Sequence, residues 1–465
     1  MRPVFEQTGS AMKRKPMFTS GRLRSSAAIA LLVVAFPVQA LDLLGAYQLA
    51  KQNDPVFAAS RAELDAGLEA LPQGRALLLP VINGEANTNI NDTENRTLDI
   101  DRRFNSNGWS ITLTQPVFRW QNLMQYRQAE YQVNQAEAQF GQATQDLVVR
   151  VAEAYFNALA AQDNLEFVRA DKKAISEQLA QAKRNFEVGT ATITDTNEAQ
   201  ARFDLATAQE IAAENAVEVT RRSLEQIIGP IPDHLAPLRS ELQLAPPQPA
   251  QMSEWVNAAL SGNFGVRANQ AAYEIAMREV QVQRAGHYPT VDAVASYQDG
   301  TTLSGGASAS LAAGRTKSSA TIVGLQLNVP LYAGGSVSSR TREAVALRER
   351  ARNNFEAARR SAEFNARQSF LNVTNGRAQV QALEQALVSS ETALESNRVG
   401  YEVGVRINLD VLDAQQQVFE TKRDLARARY DTILNGLRLG AAAGTLSEEE
   451  VRAVNQLLLD TPPQP

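Results

Sequence analysis

Two stretches decide how this chain is read: FEVGTATITDTNEAQ at Phe186–Gln200 and YEVGVRINLDVLDAQQ at Tyr401–Gln416. Superposing Gly189 on Gly404 also places Phe186 on Tyr401, Asp195 on Asp410 and Ala199-Gln200 on Ala414-Gln415. A glycine turn between two helical patterns therefore recurs in one register, and the chain is an internal duplication built around two helix tips. Glycine accepts a positive φ at a helix end, so turn geometry alone accounts for Gly189 and Gly404.

Working outward from the tips, each is reached by a long helical run. From about Phe118 to Val188, residues such as Ala129, Val133, Ala136, Phe140, Ala143, Leu147 and Val151 recur at spacings of three and four, the seam of a coiled-coil-like rod. Some seventy residues give roughly 100 Å of helix. Alanine fills half of the seam, which lets neighbouring rods approach closely. The chain returns as helix from Asp195 to Gln226, and Gly229-Pro230 with Pro246–Pro249 marks a boundary. The second rod runs from about Ser336 to Val403 and returns over Leu409–Leu439.

Ahead of each rod the period changes from 3.6 to two. In Val81–Asn91, Ile82, Ala86, Thr88 and Ile90 face one way, and Asn83, Glu85, Asn87, Asn89 and Asn91 the other. Asp92–Asn107 reads as a polar loop. Gly108–Val117 resumes as a strand, with Trp109, Ile111 and Leu113 on one face and Pro116 closing it. In the second half Thr290–Gln298 alternates, a glycine- and serine-rich loop follows to Ser318, and Val323, Leu325, Leu327 and Val329 line the last strand up to Pro330. Amphipathic helices precede each strand pair: DLLGAYQLAKQNDP and Val56–Leu79 in the first half, MSEWVNAALSGNFG and Val266–Tyr288 in the second. The predicted organisation is a signal at 1–40 and a first repeat at 41–249, with strands at about 81–117 and a helical hairpin at about 118–229. A second repeat follows at 250–446, with strands at about 290–330 and a hairpin at about 336–439, and then a partly disordered tail at 447–465.

The signal is read from the basic residues Lys13, Arg14, Lys15, Arg22 and Arg24, the apolar run Ala27–Phe36 and Val38-Gln39-Ala40, a small-x-small cleavage site. Met12 and Met17 each leave it complete. Its removal takes away six basic residues and one acid, so the formal charge falls from −5 to −10, which speaks against a nucleic-acid partner. The 465 residues include no cysteine, excluding disulfides and an N-terminal lipidated cysteine. Outside the signal no apolar run reaches the length of a membrane helix, so strands must make any crossing. His234 and His287 lack metal-ligand spacing and sit beside prolines. No phosphate loop or nucleophile elbow is present, and no enzyme and no cofactor are expected.

Four strands cannot stand alone in lipid, because the unpaired backbone of two open edges costs several kcal/mol per group. Two copies make eight strands, an interior filled by side chains, whereas three make twelve and leave a lumen. The asparagine-rich inner faces favour the wet alternative. The expected fold is an α+β membrane protein: a trimeric twelve-stranded transmembrane β-barrel, four strands per chain, continued by a long α-helical coiled-coil tunnel, with an internal two-fold repeat. A periplasmic coiled-coil scaffold without a pore is the alternative, but it has no use for strands polar on one face and apolar on the other.

With these features in place, the chain resembles the TolC family of outer-membrane channel proteins over nearly all its mature length. Gly400–Leu446 carries the most specific likeness, and LTQPVF at Leu113–Phe118 and LNVPLY at Leu327–Tyr332 match the family's strand exits. The resemblance implies a homotrimeric duct in the Gram-negative outer membrane, set in its lipid and extending into the periplasm. Its partners would be a periplasmic adaptor protein and an inner-membrane transporter, ABC or proton-driven, for type I protein secretion or drug efflux. It also implies site roles. Asp410 and Asp413, three apart at a helix start, correspond to an acidic ring at the periplasmic gate, though a helix N-terminus favours such acids anyway. Tyr401, Arg406, Thr194 and Asp195 correspond to a latch between coils. Gly189, Thr190, Gly404 and Val405 correspond to tips that receive the adaptor. No metal site is implied, and the missing lipid-anchor cysteine tilts the reading towards the secretion branch.

Overall fold

The structure, a computed structural model, describes residues 40–95, 100–190, 192–230, 234–239, 242, 244–303 and 315–459. The expected signal at 1–40 lies outside them apart from Ala40. The chain runs α1 (Leu43–Asn53), α2 (Pro55–Leu68), α3 (Ala70–Ala76), β1 (Val81–Asn95), β2 (Ile100–Phe118), α4 (Trp120–Glu187) and α5 (Ile193–Ile228). It repeats as α6 (Met252–Gly262), α7 (Phe264–Arg284), β3 (Thr290–Leu303), β4 (Arg315–Asn328), α8 (Ser336–Glu402) and α9 (Asn408–Ala443), and adds α10 (Glu448–Asn455).

The four strands form one antiparallel sheet in the order β1-β2-β3-β4, so β2 and β3 join the two repeats and β1 and β4 are open edges. Directly opposed residues share a face. One line of partners runs Ile82, Leu113, Ala295, Val323, and another Gly84, Ile111, Tyr297, Thr321; the neighbouring line runs Glu85, Ser110, Gln298, Ala320. The sheet therefore has an apolar and a polar face across all four strands. Val323, Leu325 and Leu327 are exposed on β4, and Trp109 touches Tyr297 at 5.3 Å between ring centres.

Several sequence expectations are corrected here. Of the stretch Asp92–Asn107 expected as a loop, residues 92–95 and 100–107 are strand: β1 and β2 pair outward as far as Asn95 with Ile100, and Asp92 sits opposite Arg103, while 96–99 lie outside the described residues. Likewise Gly300 pairs with Ser318 and Thr301 with Lys317, inside the stretch read as a glycine- and serine-rich loop. Crossing a bilayer takes about 10 residues, so strands of 14 to 19 residues reach past the lipid, where the ladder continues with mostly polar side chains. Pro116 does not close its strand; β2 continues to Phe118 after a register shift. The helix read over Val56–Leu79 is two, α2 and α3. Pro72 lacks the N–H that would bond the carbonyl of Leu68, and α2 stops there.

The rods are as long as the seam demands, 68 residues in α4 and 67 in α8, whereas α5 and α9 have 36 each. Each long helix thus needs a second companion towards the sheet. For α4 it is supplied by α2, α3 and α7, and for α8 by α7 and α6. Close approach is built in: Gly67 of α2 faces Ala136 and Gly74 of α3 faces Ala129, with no room for a Cβ at either glycine.

The largest core lies midway along α4, where α1, α5, α9 and α10 meet it, and it includes Leu43, Leu147, Tyr155, Phe156, Leu224 and Leu437. The Tyr155 hydroxyl lies 2.9 Å from the carbonyl oxygens of Leu41 and Ala236. Towards the tips the clusters shrink to Ile175, Ala206 and Leu412, and to Leu179, Ala182 and Ala199. Each fully buried Leu or Ile contributes about 2 kcal/mol, so the waist is firm and the tips depend on polar contacts.

Disorder of the tail does not hold for residues 447–459, and 460–465 lie outside the described residues. Ser447 and Glu450 form a capping box for α10, Val451 and Leu458 are buried, and the Asn455 side chain bridges Asp42 and the Leu44 N–H.

One buried pair in α4 and α9 gives a pH-dependent expectation. Tyr430 donates to Asp163 Oδ2 at 2.6 Å. Burial pushes the Asp163 carboxyl above its ordinary value, the Tyr430 hydrogen bond opposes this, and nearby Glu166 adds to the rise. The folded state thus holds its proton more tightly than the unfolded chain, and stability is lost as pH rises from the ordinary carboxylate value through the raised one. Asp163→Asn keeps an acceptor for Tyr430 and removes the buried charge. It is expected to melt a few degrees above the parent protein at pH 8, with the gap closing at pH 3, by thermal unfolding in detergent.

Candidate functional site at the helix tips

Both tips are built by the same backbone turn. Gly189 and Gly404 adopt φ of 79° and 76°, the left-handed region that a glycine enters without strain. At the first tip Thr190 N–H donates to Asn185 O at 2.8 Å, and at the second Val405 N–H donates to Gly400 O at 2.8 Å. Each is the six-to-one bond that ends a helix in a Schellman turn. Around the turns Val188, Ile193, Val403, Val405 and Ile407 are all exposed, so the tips present apolar side chains outward.

The return helices start differently, and the difference frees one carboxylate. Thr192 is a full cap for α5: its hydroxyl accepts from Asp195 N–H at 3.2 Å, and Asp195 Oδ2 accepts from Thr192 N–H at 2.8 Å. Ile407 stands at the equivalent place before α9 and has no hydroxyl, leaving a 3.4 Å bond from its N–H to Asp410 Oδ2. Asp195 is therefore committed to its own helix. Asp410 is held loosely, 3.6 Å from Arg406 Nη1.

Asp413, one turn further along α9, is 57% exposed and sits 2.7 Å from Arg202 Nη2 of α5. Tyr401 is reached by Asn185, whose Nδ2 donates to its hydroxyl at 3.3 Å. Thr194 is exposed. Within one chain the hydrogen bonds and ion pairs of the described residues do not join Tyr401 or Arg406 to Thr194 or Asp195. Deeper in, Gln415 is buried, accepts from Gln178 at 3.3 Å and donates to Asp171 Oδ1 at 3.1 Å. Burial pushes the Asp171 carboxyl up, and the Gln415 hydrogen bond partly offsets it.

Sequence reasoning missed Arg202, Asn185, Asp171 and Gln415 as tip contacts. Arg202 and Asp413 lie 211 positions apart, and only the fold makes them neighbours. The arrangement holds charges and hydrogen bonds at the end of a hairpin pair, with no nucleophile and base in contact; among the described residues no cluster of His, Asp or Glu is arranged to hold a metal.

A four-stranded sheet continued by long helical hairpins is the fold of outer-membrane channels. The crystal structure of the outer membrane protein VceC from Vibrio cholerae matches with a TM-score of 0.74 at 19% identity, covering 86% of this chain and 96% of that one. The Campylobacter jejuni CmeC outer membrane channel matches with a TM-score of 0.75 at 16% identity, covering 89% of each chain. The chain belongs to the outer membrane efflux protein family, whose family model matches residues 46–230 and 255–445. Outer membrane protein TolC of Vibrio cholerae is 36% identical, over 95% of this chain and 98% of that protein. The alkaline protease secretion protein AprF of Pseudomonas aeruginosa is 35% identical, over 89% and 87%.

The protein is accordingly an outer-membrane channel of the Gram-negative envelope, reaching into the periplasm and serving efflux or type I secretion rather than catalysis. A poreless scaffold is not favoured. Membership of such systems implies an adaptor and an inner-membrane transporter.

Because Gly404 lies in left-handed backbone with open space around it, Gly404→Ala should raise the local energy by about 1 kcal/mol without a clash. Faster amide exchange over residues 399–408, at an unchanged melting temperature, is the expected result by mass spectrometry.

Proposed function

We propose that three copies of this chain form a duct with a cation-sensitive gate at the helix tips, serving polypeptide export with an inner-membrane ABC transporter through a periplasmic adaptor. The observation that carries it is the sheet: both edges are open, one face is apolar and the other polar. Such a sheet is stable in lipid only when closed with copies of itself. Twelve strands leave room for a wet lumen, and the outer face meets outer-membrane lipid. An export signal at 1–40 precedes the two repeats, 41–249 and 250–446. The secretion proteins AprF and PrtF among its relatives support the polypeptide reading over the proton-driven alternative.

In this assembly Asp410 and Asp413 of three chains ring the axis at the inner end, attracting cations and letting multivalent ones plug the pore. Tyr401 and Arg406, whose side-chain ties among the described residues of one chain are weak, latch onto Thr194 and Asp195 of a neighbouring chain, a charge-assisted link that a rival contact breaks. The tips at Gly189, Thr190, Gly404 and Val405, edged by exposed valines and isoleucines, receive the adaptor.

In planar bilayers the ring reading expects Asp410→Ala/Asp413→Ala to lose block by multivalent cations at similar conductance; block equal to that of the parent channel would end it. The latch reading expects Arg406→Ser with Tyr401→Phe to raise resting conductance several-fold, and unchanged conductance would remove it. For the substrate class, a host lacking its own channel, given this chain with an ABC exporter and adaptor, is expected to release the exported polypeptide into the medium.

A further inference from the structure

We infer that Arg202 is the resident counter-cation of Asp413 and clasps the two hairpins together at the tip, so that part of the ring's charge is masked while α5 and α9 lie side by side. The inference rests on the acidic-ring reading above and adds a residue that the ring does not contain. Arg202 places Nη2 2.7 Å from Asp413 Oδ1, and its Nη1 donates to Gln416 Oε1. Asp413 and Gln416 are three apart on α9 and share a face, so one planar guanidinium spans two acceptors, which a lysine ammonium does less well. Arg202 is only 31% exposed on its side chain. It lines a groove between α4, α5 and α9 together with Asp171, Ile175, Leu412 and Arg423.

The two ring carboxylates therefore differ in what their partners can sense. Asp410 lies 3.6 Å from Arg406 of its own turn, a contact that does not span the two hairpins. Asp413 pairs with a residue of the other hairpin, so separation of the hairpins unmasks it. The contact has no mirror in the duplication: the position equivalent to Arg202 is the neutral Gln417, and that equivalent to Asp413 is Glu198. Each chain thus carries a cationic clasp of this kind from α5 to α9 and none from α9 to α5 at these positions. Threefold repetition makes the masking act three times on one ion at the axis.

The test uses the reconstituted trimer in planar bilayers with hexaamminecobalt(III) as the probe. Arg202→Gln is expected to block at a concentration about tenfold lower than the parent channel. Arg202→Lys, which keeps the charge, is expected to stay near the parent value. In the Asp410→Asn background, where Asp413 alone remains, adding Arg202→Gln is expected to restore block. Heat-resistant trimers on gels report assembly of each variant. If Arg202→Gln blocks like the parent while Asp410→Asn/Asp413→Asn abolishes block, the ring stands and the clasp is overturned. If Arg202→Lys shifts as far as Arg202→Gln, the role is steric and the charge claim is overturned. Block that survives Asp410→Asn/Asp413→Asn overturns the ring and the clasp with it.

Discussion

Backbone amides and carbonyls inside a hydrocarbon layer must find partners, and this chain brings four strands with two unsatisfied edges into that layer. Every larger feature answers this constraint. Because β1 and β4 can be completed only by other copies, the chain is part of a closed object. Because the sheet then encloses space, its second face is polar, with Asn83, Glu85 and Gln298 where a soluble sandwich would carry leucine. The helices inherit the geometry: each strand pair delivers the chain into a rod of nearly seventy residues, and the rods ring the same axis as the strands.

Along the rods, stability and mobility are distributed unevenly. The waist holds the large buried side chains, and two strand-like bridges tie Leu41 to Leu235 and Leu238 to Leu458. The tips have small clusters of three buried residues each, and much of their cohesion comes from ion pairs and amide hydrogen bonds that are partly open to water. Exposed pairs of that kind are worth about 1 kcal/mol or less. A gate placed there can open without disturbing the waist. Duplication also supplies two copies of one design that have since diverged. Thr192 caps its helix with Asp195, whereas Ile407 cannot cap with its side chain and leaves Asp410 underused by its own backbone.

Much of this was legible in the sequence, for identifiable reasons. The glycine turns and the three-four seam are local signals, and they placed both rods to within two residues or so. Alternation placed the inner halves of all four strands, because lipid imposes it. Past the lipid the same strands run on with Asp92, Asn105 and Ser106, where backbone hydrogen bonds and polar cross-strand contacts such as Thr88–Asn105 and Asn91–Ser106 continue the ladder, and no apolar alternation marks them. Pro72 marks the split between α2 and α3, and Ser447 with Glu450 forms a readable start signal for α10. The tip contacts were the least accessible. Arg202 is an ordinary surface arginine until two hairpins from opposite halves of the chain are laid together, and a single sequence says nothing about that.

The bridging of Asp42 and Leu44 by Asn455 has a consequence for the order of events during biogenesis. The segment that opens α1 is fastened by α10, with the 234–239 segment between them. Contacts separated by about four hundred positions close slowly. A chain still emerging into the periplasm therefore has its rods available long before its waist can be knitted. Arrival of α10, and not the folding of either half alone, closes the waist of the protomer.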